Sequence, residues 1–418
     1  MAGGALARDT VADVTDGGSP MRFPTAGTTA ATIETTLAEA SRGDADWRGG
    51  RVPLFVFGAT PEVAQVGRSA FMAYFTENAL GGRRAFGSLH RMEQEVVAMC
   101  LDLFHAPPGA AGTMTTGGTE SILLAVKNCR DWQRARRGEP SHRGNLVLPV
   151  TAHPAFDKAA ALMDLPVRRV PVAADLRADP AAMAAAIDAD TIMIAGSVPC
   201  FPYGVVDKLP ALSDLALARD VWLHVDACVG GFFAPFARDL GAPIPAFDFS
   251  LPGVASLSAD LHKFGFCPKP ASTVFYRDAA RASGFDFNVW PSGRFATATL
   301  VGTRPGGEVA AAWAVLTFLG RDGYTAIARR LLAMREAYEA GIAAIPGLAV
   351  FGRPDLSILA FGAADRDMPT VAKNMAARGW VPGMVHEPPG LHLMLSLLHE
   401  PAREHYLADL AAAVAEAP

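Results

Sequence analysis

The 418-residue sequence predicts an α/β fold: a mainly parallel sheet flanked by helices, with a smaller α+β domain at the C-terminal end. Three observations predict it. Short apolar, β-branched runs recur at 145–150, 167–172, 191–198, 221–227 and 272–277. Ala/Leu-rich helical patterns at 155–164, 180–188 and 208–219 separate several of these runs. Continuous apolar strands alternating with helices are buried on both faces, as in a parallel sheet with crossover helices. After about residue 290 the pattern changes to one long helix at 305–342, with a kink expected near Gly320–Gly323. Short strands at 348–351, 356–361 and 391–397 follow, with helices at 369–378 and 401–416.

The remaining elements divide the chain. Residues 1–45 are rich in Thr, Ala, Gly and Asp and predict a flexible arm that merges into a helix at about 31–41. Residues 46–300 carry an N-terminal segment and the large domain, and 301–418 the linking helix and the small domain. The chain is 50% hydrophobic and 19% charged, which excludes a disordered protein. A net charge of −5 gives no basic footprint for nucleic acid. No run approaches the ~18 apolar residues of a membrane span. Arg8 and Asp9 stand where a signal peptide needs its apolar stretch, so a cytoplasmic location is expected. The five cysteines are scattered without a CxxC pair, so neither a disulfide framework nor a metal site is indicated. The surplus apolar surface is expected to lie inside the fold or against a partner chain.

Ligands of such sheets sit beyond the carboxyl ends of the strands, and the informative polar residues follow the apolar runs. Lys263 lies in Ser258-Ala-Asp-Leu-His-Lys-Phe-Gly265, between His262 and Phe264. Burial would make its amine a nucleophile toward carbonyls; the alternative is a snorkelling surface lysine. Asp226 closes the run Val221-Trp-Leu-His-Val-Asp226. It is either a helix N-cap or the partner of a protonated heterocycle nitrogen. A lysine for a Schiff base and a carboxylate for a pyridine nitrogen are together what pyridoxal phosphate requires. Thr115-Thr-Gly-Gly-Thr-Glu-Ser121 opens a helical pattern, and its glycines and hydroxyls form a phosphate site or a plain N-cap. His153, directly after the first run, is a structural group or a ring stacked on a flat cofactor.

The stretches TTGGTESILLAVKNCRD, TAHPAFDKAA, FPYGVVD, LHVDACVGGF, SADLHKFGFCPK and GTRPGG occur in this order. Over about residues 50–410 the chain resembles the sphingosine-1-phosphate lyases, close to the group II pyridoxal-phosphate decarboxylases of fold type I. The resemblance implies a seven-stranded-type sheet and a homodimer with shared active sites. It implies Lys263 as the Schiff-base lysine, Asp226 as the pyridine partner and His153 as the stacked ring. It also implies Gly118 and Thr119 on the cofactor phosphate, helped by His262, and Ser197 near the ring edge. Thr303 would reach the phosphate of the neighbouring subunit, and Lys269 would stand near the substrate.

The substrate half departs from the family. Its Asn-Pro-Leu-His segment reads Asn78-Ala-Leu-Gly81, which keeps the Asn and loses the His. A family tyrosine corresponds to Phe57, FPHG reads Phe201-Pro-Tyr-Gly204, and a Gly/Tyr-rich loop reads Ser292-Gly-Arg-Phe-Ala-Thr297. A lost His and hydroxyl remove charge-assisted bonds of about 1.5–3 kcal/mol each. Asn78, Tyr203, Lys269 and Arg294 are therefore the candidate substrate residues, with Arg83 and Arg84 as further anion binders. The expected reaction is retro-aldol carbon–carbon cleavage of an amino alcohol or β-hydroxy amine, phosphorylated or not. The alternative is α-decarboxylation of an amino acid. An aminotransferase comes third, since it needs an arginine clamp and Arg353 is the nearby candidate.

Overall fold

Four of the five apolar runs of the large domain fold as fully buried strands because helices cover both of their faces; the fifth, at the sheet edge, is partly exposed. A computed structural model describes residues 23–291 and 293–418. Residues 1–22 of the expected arm lie outside the described residues. Within 23–45 there is one α-helix, α1 (Ala30–Ala40), started by the Thr29 hydroxyl, which accepts the Thr32 N–H, and a 3-10 turn at Ser41–Gly43 follows it. Residues 46–418 form one compact unit.

The large sheet has seven strands: β1 (Ala111–Thr115), β2 (Asn145–Pro149), β3 (Val167–Val170), β4 (Thr191–Ser197), β5 (Trp222–Asp226), β6 (Val254–Ala259) and β7 (Ser272–Tyr276). Their order is β1-β7-β6-β5-β4-β2-β3. The pairs from β3 to β6 are parallel, and β7 runs antiparallel to both of its neighbours. Because β7 alone is reversed, the carboxyl ends of β1, β2, β4, β5 and β6 share one edge. Every residue of β2, β4, β5, β6 and β7 is buried.

Helices α2 (Pro61–Ala73), α3 (Gly87–Leu103), α4 (Gly118–Arg137), α5 (Ala155–Met163), α6 (Pro180–Ala186), α7 (Leu209–Arg219) and α8 (Ala234–Asp239) surround the sheet. Local chemistry sets several of their ends. Thr60 and Asp179 cap α2 and α6, and each is followed by Pro at the first helical position. Helix α4 stops at Gly138 in the left-handed region, with Arg134, Arg136 and Arg137 in its last turn.

A two-stranded ribbon, β8 (Phe285–Trp290) with β9 (Gly293–Thr297), leads to α9 (Gly306–Ala343). Helix α9 packs on α2, α3 and α8 and ends in the small domain. That domain has a four-stranded antiparallel sheet of β10 (Ala349–Val350), β11 (Ile358–Gly362), β12 (Gly383–His386) and β13 (Pro389–Met394), ordered β10-β11-β13-β12. Helices α10 (Met368–Ala377) and α11 (Arg403–Ala415) complete it. The apolar runs mark every strand within a few residues except β1, β6, β12 and the two of the ribbon, which carry no such run.

Candidate active site

Five strand ends and one helix start converge on a cavity of about 380 Å³. The turn after β6 brings Lys263 into it, β5 ends there in Asp226, and β4 ends there in Ser197. The loop after β2 supplies His153, and β1 passes through Thr116 and Gly117 into the first turn of α4. The expected cofactor residues Gly118, Thr119, His153, Ser197, Asp226, His262 and Lys263 all line this one cavity. Thr303 does not line it.

The start of α4 is open to a ligand. Its N-cap, Gly117, provides no side-chain hydrogen bond, so the first N–H groups of the helix face the cavity with the positive end of its dipole. Gly118 must be glycine here: a Cβ would lie 2.8 Å from Cys228 Sγ and 2.9 Å from Asp260 Oδ2. Glu120 braces the turn from behind. One of its oxygens accepts the Thr116 N–H at 2.7 Å and Thr116 hydroxyl at 2.6 Å, and the other accepts the Leu300 N–H at 2.8 Å.

Around the lysine the charges are paired. Lys263 Nζ lies 3.0 Å from Oδ2 of Asp260, which is buried. Burial works against the ammonium, but Asp260, then Cys228 and Asp226, offset it and hold the amine above its ordinary range. Asp226 Oδ1 accepts the Cys228 N–H at 3.1 Å, so it caps the following turn while its carboxylate still faces the cavity. Behind it His224 is wholly buried between Ser256 and Ser258, at 2.7 and 3.2 Å, and burial pushes it down to about 4.

Two imidazoles have defined tautomers. His153 Nδ1 accepts the Ala155 N–H at 3.1 Å, which leaves the proton of the neutral ring on Nε2. Its ring stands edge-on to Phe201, with centroids 6.2 Å apart. His262 Nδ1 accepts the Ala271 N–H at 3.1 Å, so its proton is likewise on Nε2. Burial, only partly offset by Asp260, holds His262 below its ordinary value. Ser197 is fixed through its backbone, whose N–H donates to Asp207 at 2.7 Å. Asp207 is fully buried, and burial pushes it up to about 6.

The candidate substrate residues lie elsewhere. The Tyr203 hydroxyl donates to the Glu387 carbonyl, which ties the large domain to the turn between β12 and β13 instead of facing the cavity. Arg294 is exposed on β9 and paired with Asp286 across the ribbon, at 2.7 Å through Nε. Asn78 Nδ2 donates to Thr303 Oγ1 at 3.3 Å, outside the lining of the cavity in the same chain. Lys269 donates from Nζ to the Phe55 carbonyl at 3.0 Å. It lies on a second, apolar hollow of about 780 Å³ that shares His262 with the cavity. Arg353 is exposed and does not line the cavity.

Asp260, Glu120 and Phe201 line the cavity and were not singled out from sequence. Only Asp260 left a signal, a second carboxylate three residues before the lysine. Among the described residues no cluster of His, Cys, Asp and Glu is arranged to hold a metal ion.

The donor set fits pyridoxal phosphate. An uncapped helix start with a glycine cradle suits the phosphate, a buried carboxylate at a strand end suits the pyridine nitrogen, and the lysine amine shares their cavity. Fold and cavity together define the class of pyridoxal-phosphate-binding proteins of fold type I. The comparisons narrow this. A family model described as pyridoxal-dependent decarboxylase conserved domain matches residues 86–362, and the chain belongs to that family. It is 40% identical to a sphingosine-1-phosphate lyase of Oryza sativa subsp. japonica over 78% of this chain and 61% of that protein. The chain thus spans about three-fifths of that relative's length. A solved sphingosine-1-phosphate lyase of Burkholderia pseudomallei superposes with a TM-score of 0.90 at 37% identity, covering 96% of this chain and 94% of that one. A probable L-tyrosine/L-aspartate decarboxylase of Methanothermobacter thermautotrophicus is 32% identical over 77% of this chain and 86% of its own length.

Proposed function

We propose that this protein is a pyridoxal-phosphate-dependent carbon–carbon lyase that cleaves a β-hydroxy amine by a retro-aldol reaction. The observation that carries it is the apolar hollow beside the cavity. Phe57, Phe71, Met72, Phe266 and Pro268 line it, and Lys269 lies on it. Such a surface suits the chain of an amphiphilic amino alcohol, with Lys269 placed for an anionic group such as a phosphate. The bound cofactor supplies a carbonyl that condenses with amines and a protonated ring that takes up an electron pair.

The residues divide the remaining work. Lys263 holds the cofactor carbonyl and is the cavity amine able to take and return protons. Asp226 keeps the ring nitrogen protonated through its buried carboxylate. His153 would pack against the bound ring, with its proton on Nε2 because Nδ1 accepts the Ala155 N–H. Ser197 would contact the ring, and Gly118, Thr119 and His262 would hold the phosphate.

A second reading, α-decarboxylation of an amino acid, is supported by the family description and the 32% identical decarboxylase relative. We also propose a homodimer. A hollow of about 860 Å³ bounded by Arg83, Arg84, Arg294 and Arg304 lies near exposed Phe287, Phe295 and Leu300, which suits a second copy that receives Thr303. The five cysteines, all free and buried, support a reducing, cytoplasmic setting.

A panel of long-chain amino alcohols, their phosphates and amino acids, with product analysis, tests the activity. Aldehyde release without carbon dioxide is expected. Carbon dioxide without aldehyde would transfer the assignment to decarboxylation. Lys263→Ala is expected to abolish turnover and the visible band of the bound cofactor, and retention of both would overturn the role of Lys263.

A further inference from the structure

Asp260 is the most enclosed charged group of the cavity, and the proposed chemistry gives it no task. It is 1% exposed, with Oδ2 lying 3.0 Å from Lys263 Nζ. Its other oxygen, Oδ1, accepts the Ser272 hydroxyl at 2.5 Å. Behind Ser272 stand two more hydroxyls. Ser121 Oγ is 2.8 Å from Ser272 Oγ, and Thr115 Oγ1 is 2.6 Å from Ser121 Oγ. Thr115, Ser121 and Ser272 are wholly buried.

The direction of this chain follows from its end. Each hydroxyl carries one proton, and an ionised carboxylate only accepts. Ser272 therefore gives its proton to Asp260 and must accept from Ser121, which in turn must accept from Thr115. All three O–H dipoles point at Asp260. Hydrogen bonds aligned in series polarise one another, most strongly where the dielectric is low. The alternative acceptors, the Gly117 carbonyl for Thr115 and the Ala259 carbonyl for Ser272, are both at 3.4 Å and so weaker.

The other groups near Asp260 agree with an anion. His262 directs its Nε2 proton toward Oδ2 at 3.6 Å. Burial pushes the Asp260 carboxyl up, yet Lys263, His262 and the Ser272 hydroxyl hold it below the ordinary carboxylate range. Lys263 also faces Cys228 and Asp226, and Lys269 and His262 complete the charged and titratable groups around it.

We propose that Asp260, held as an anion by the Thr115–Ser121–Ser272 hydroxyl chain, docks the Lys263 ammonium whenever that amine is not joined to the cofactor. Asp260 is then a positioning residue that fixes both the place and the protonation state of the lysine between turnovers. The inference rests on Lys263 being the residue that holds the cofactor, and it assigns the lysine a second resting place on Asp260.

The test reads the lysine itself. The full chain, freed of cofactor, is acylated with acetic anhydride across pH 7–11, and the peptide carrying Lys263 is quantified by mass spectrometry. Asp260→Asn is expected to shift the labelling midpoint down by at least one pH unit, so that labelling at pH 8 rises about tenfold. Ser272→Ala is expected to shift it the same way by less, and Thr115→Val by less still. If Asp260→Asn does not fold, Ser272→Ala carries the test. An unchanged Lys263 profile in every folded variant overturns the dock. Survival of the cofactor band in Lys263→Ala overturns instead the reading of Lys263, so the two failures are distinguishable.

Discussion

At Glu308 the residues around the site hold a carboxyl that folding forces to keep its proton. It is fully buried in the first turn of α9, and neither side-chain oxygen has a hydrogen-bond partner. Burial, with Glu93 and Glu120 adding, pushes it up to about 8 although Arg304 opposes the shift. Arg304 is already engaged by Glu93 at 2.7 Å. A carboxyl whose folded value is raised contributes stability that is fully present below its ordinary value of 4.5 and is lost progressively as pH rises from there through about 8. Glu308→Gln keeps the shape without the charge. It should leave the melting temperature near wild type at pH 4.5 and raise it at pH 8.5, the gap corresponding to about 1–3 kcal/mol. Thermal denaturation at the two pH values checks this, and an equal shift at both would count against the protonated carboxyl. At this scale the sequence was legible where a polar residue closes an apolar run, as at Asp226 and His153, and at Lys263 through its His and Phe neighbours. Asp260 left only its spacing from Lys263, and Glu308 left nothing, because their roles depend on burial and on distant partners such as Ser272 for Asp260 and Glu93 for Glu308.

The elements show the same division between what periodicity records and what it does not. Strands β2, β4, β5 and β7 were legible because both faces are covered, which makes the sequence continuously apolar. β1 (Ala-Gly-Thr-Met-Thr) lies half-exposed at the sheet edge and carries no such run. β6 (Val-Ala-Ser-Leu-Ser-Ala) is fully buried, but its serines satisfy neighbours: Ser256 accepts from Trp222 at 2.7 Å and meets His224. Buried hydroxyls with partners in the next strand look polar in one dimension. The kink of α9 was legible because two glycines stand close together, and the structure places it at Gly320, with φ +52° and ψ −172°. Nothing lies within 4 Å of where a Cβ would stand, so the restriction there is purely conformational. Gly320→Ala should therefore cost about 1–3 kcal/mol of stability through the backbone alone. Denaturant unfolding should show the loss while the cofactor band stays intact. A stability equal to wild type would mean that the helix can straighten at this point.

Across the whole molecule, the apolar surplus and the incomplete substrate half have one explanation in the proposed dimer. The cavity gathers the cofactor residues of one chain, yet Thr303 is held by Asn78 outside it, on an exposed segment. Composition carries the proposed dimer only as excess hydrophobicity, because a face that meets another chain has no period of its own, and the rest of the proposal comes from the family resemblance at Thr303. If Thr303 serves the neighbouring cavity, Lys263→Ala and Thr303→Ala damage sites through different chains. Each variant alone should lose most activity, by loss of the lysine and by weakened cofactor retention respectively. In a hybrid dimer one cavity would combine the wild-type lysine of the Thr303→Ala chain with the wild-type threonine of the Lys263→Ala chain. Co-expression should therefore restore activity, to about a quarter of wild type per chain when the two mix at random, since half of the dimers are hybrids and each has one sound site. Dual affinity tags would isolate the hybrid, and turnover with limiting cofactor would measure it. A hybrid no more active than the parent variants, with dimer formation verified by light scattering, would show that Thr303 acts within its own chain or not at all.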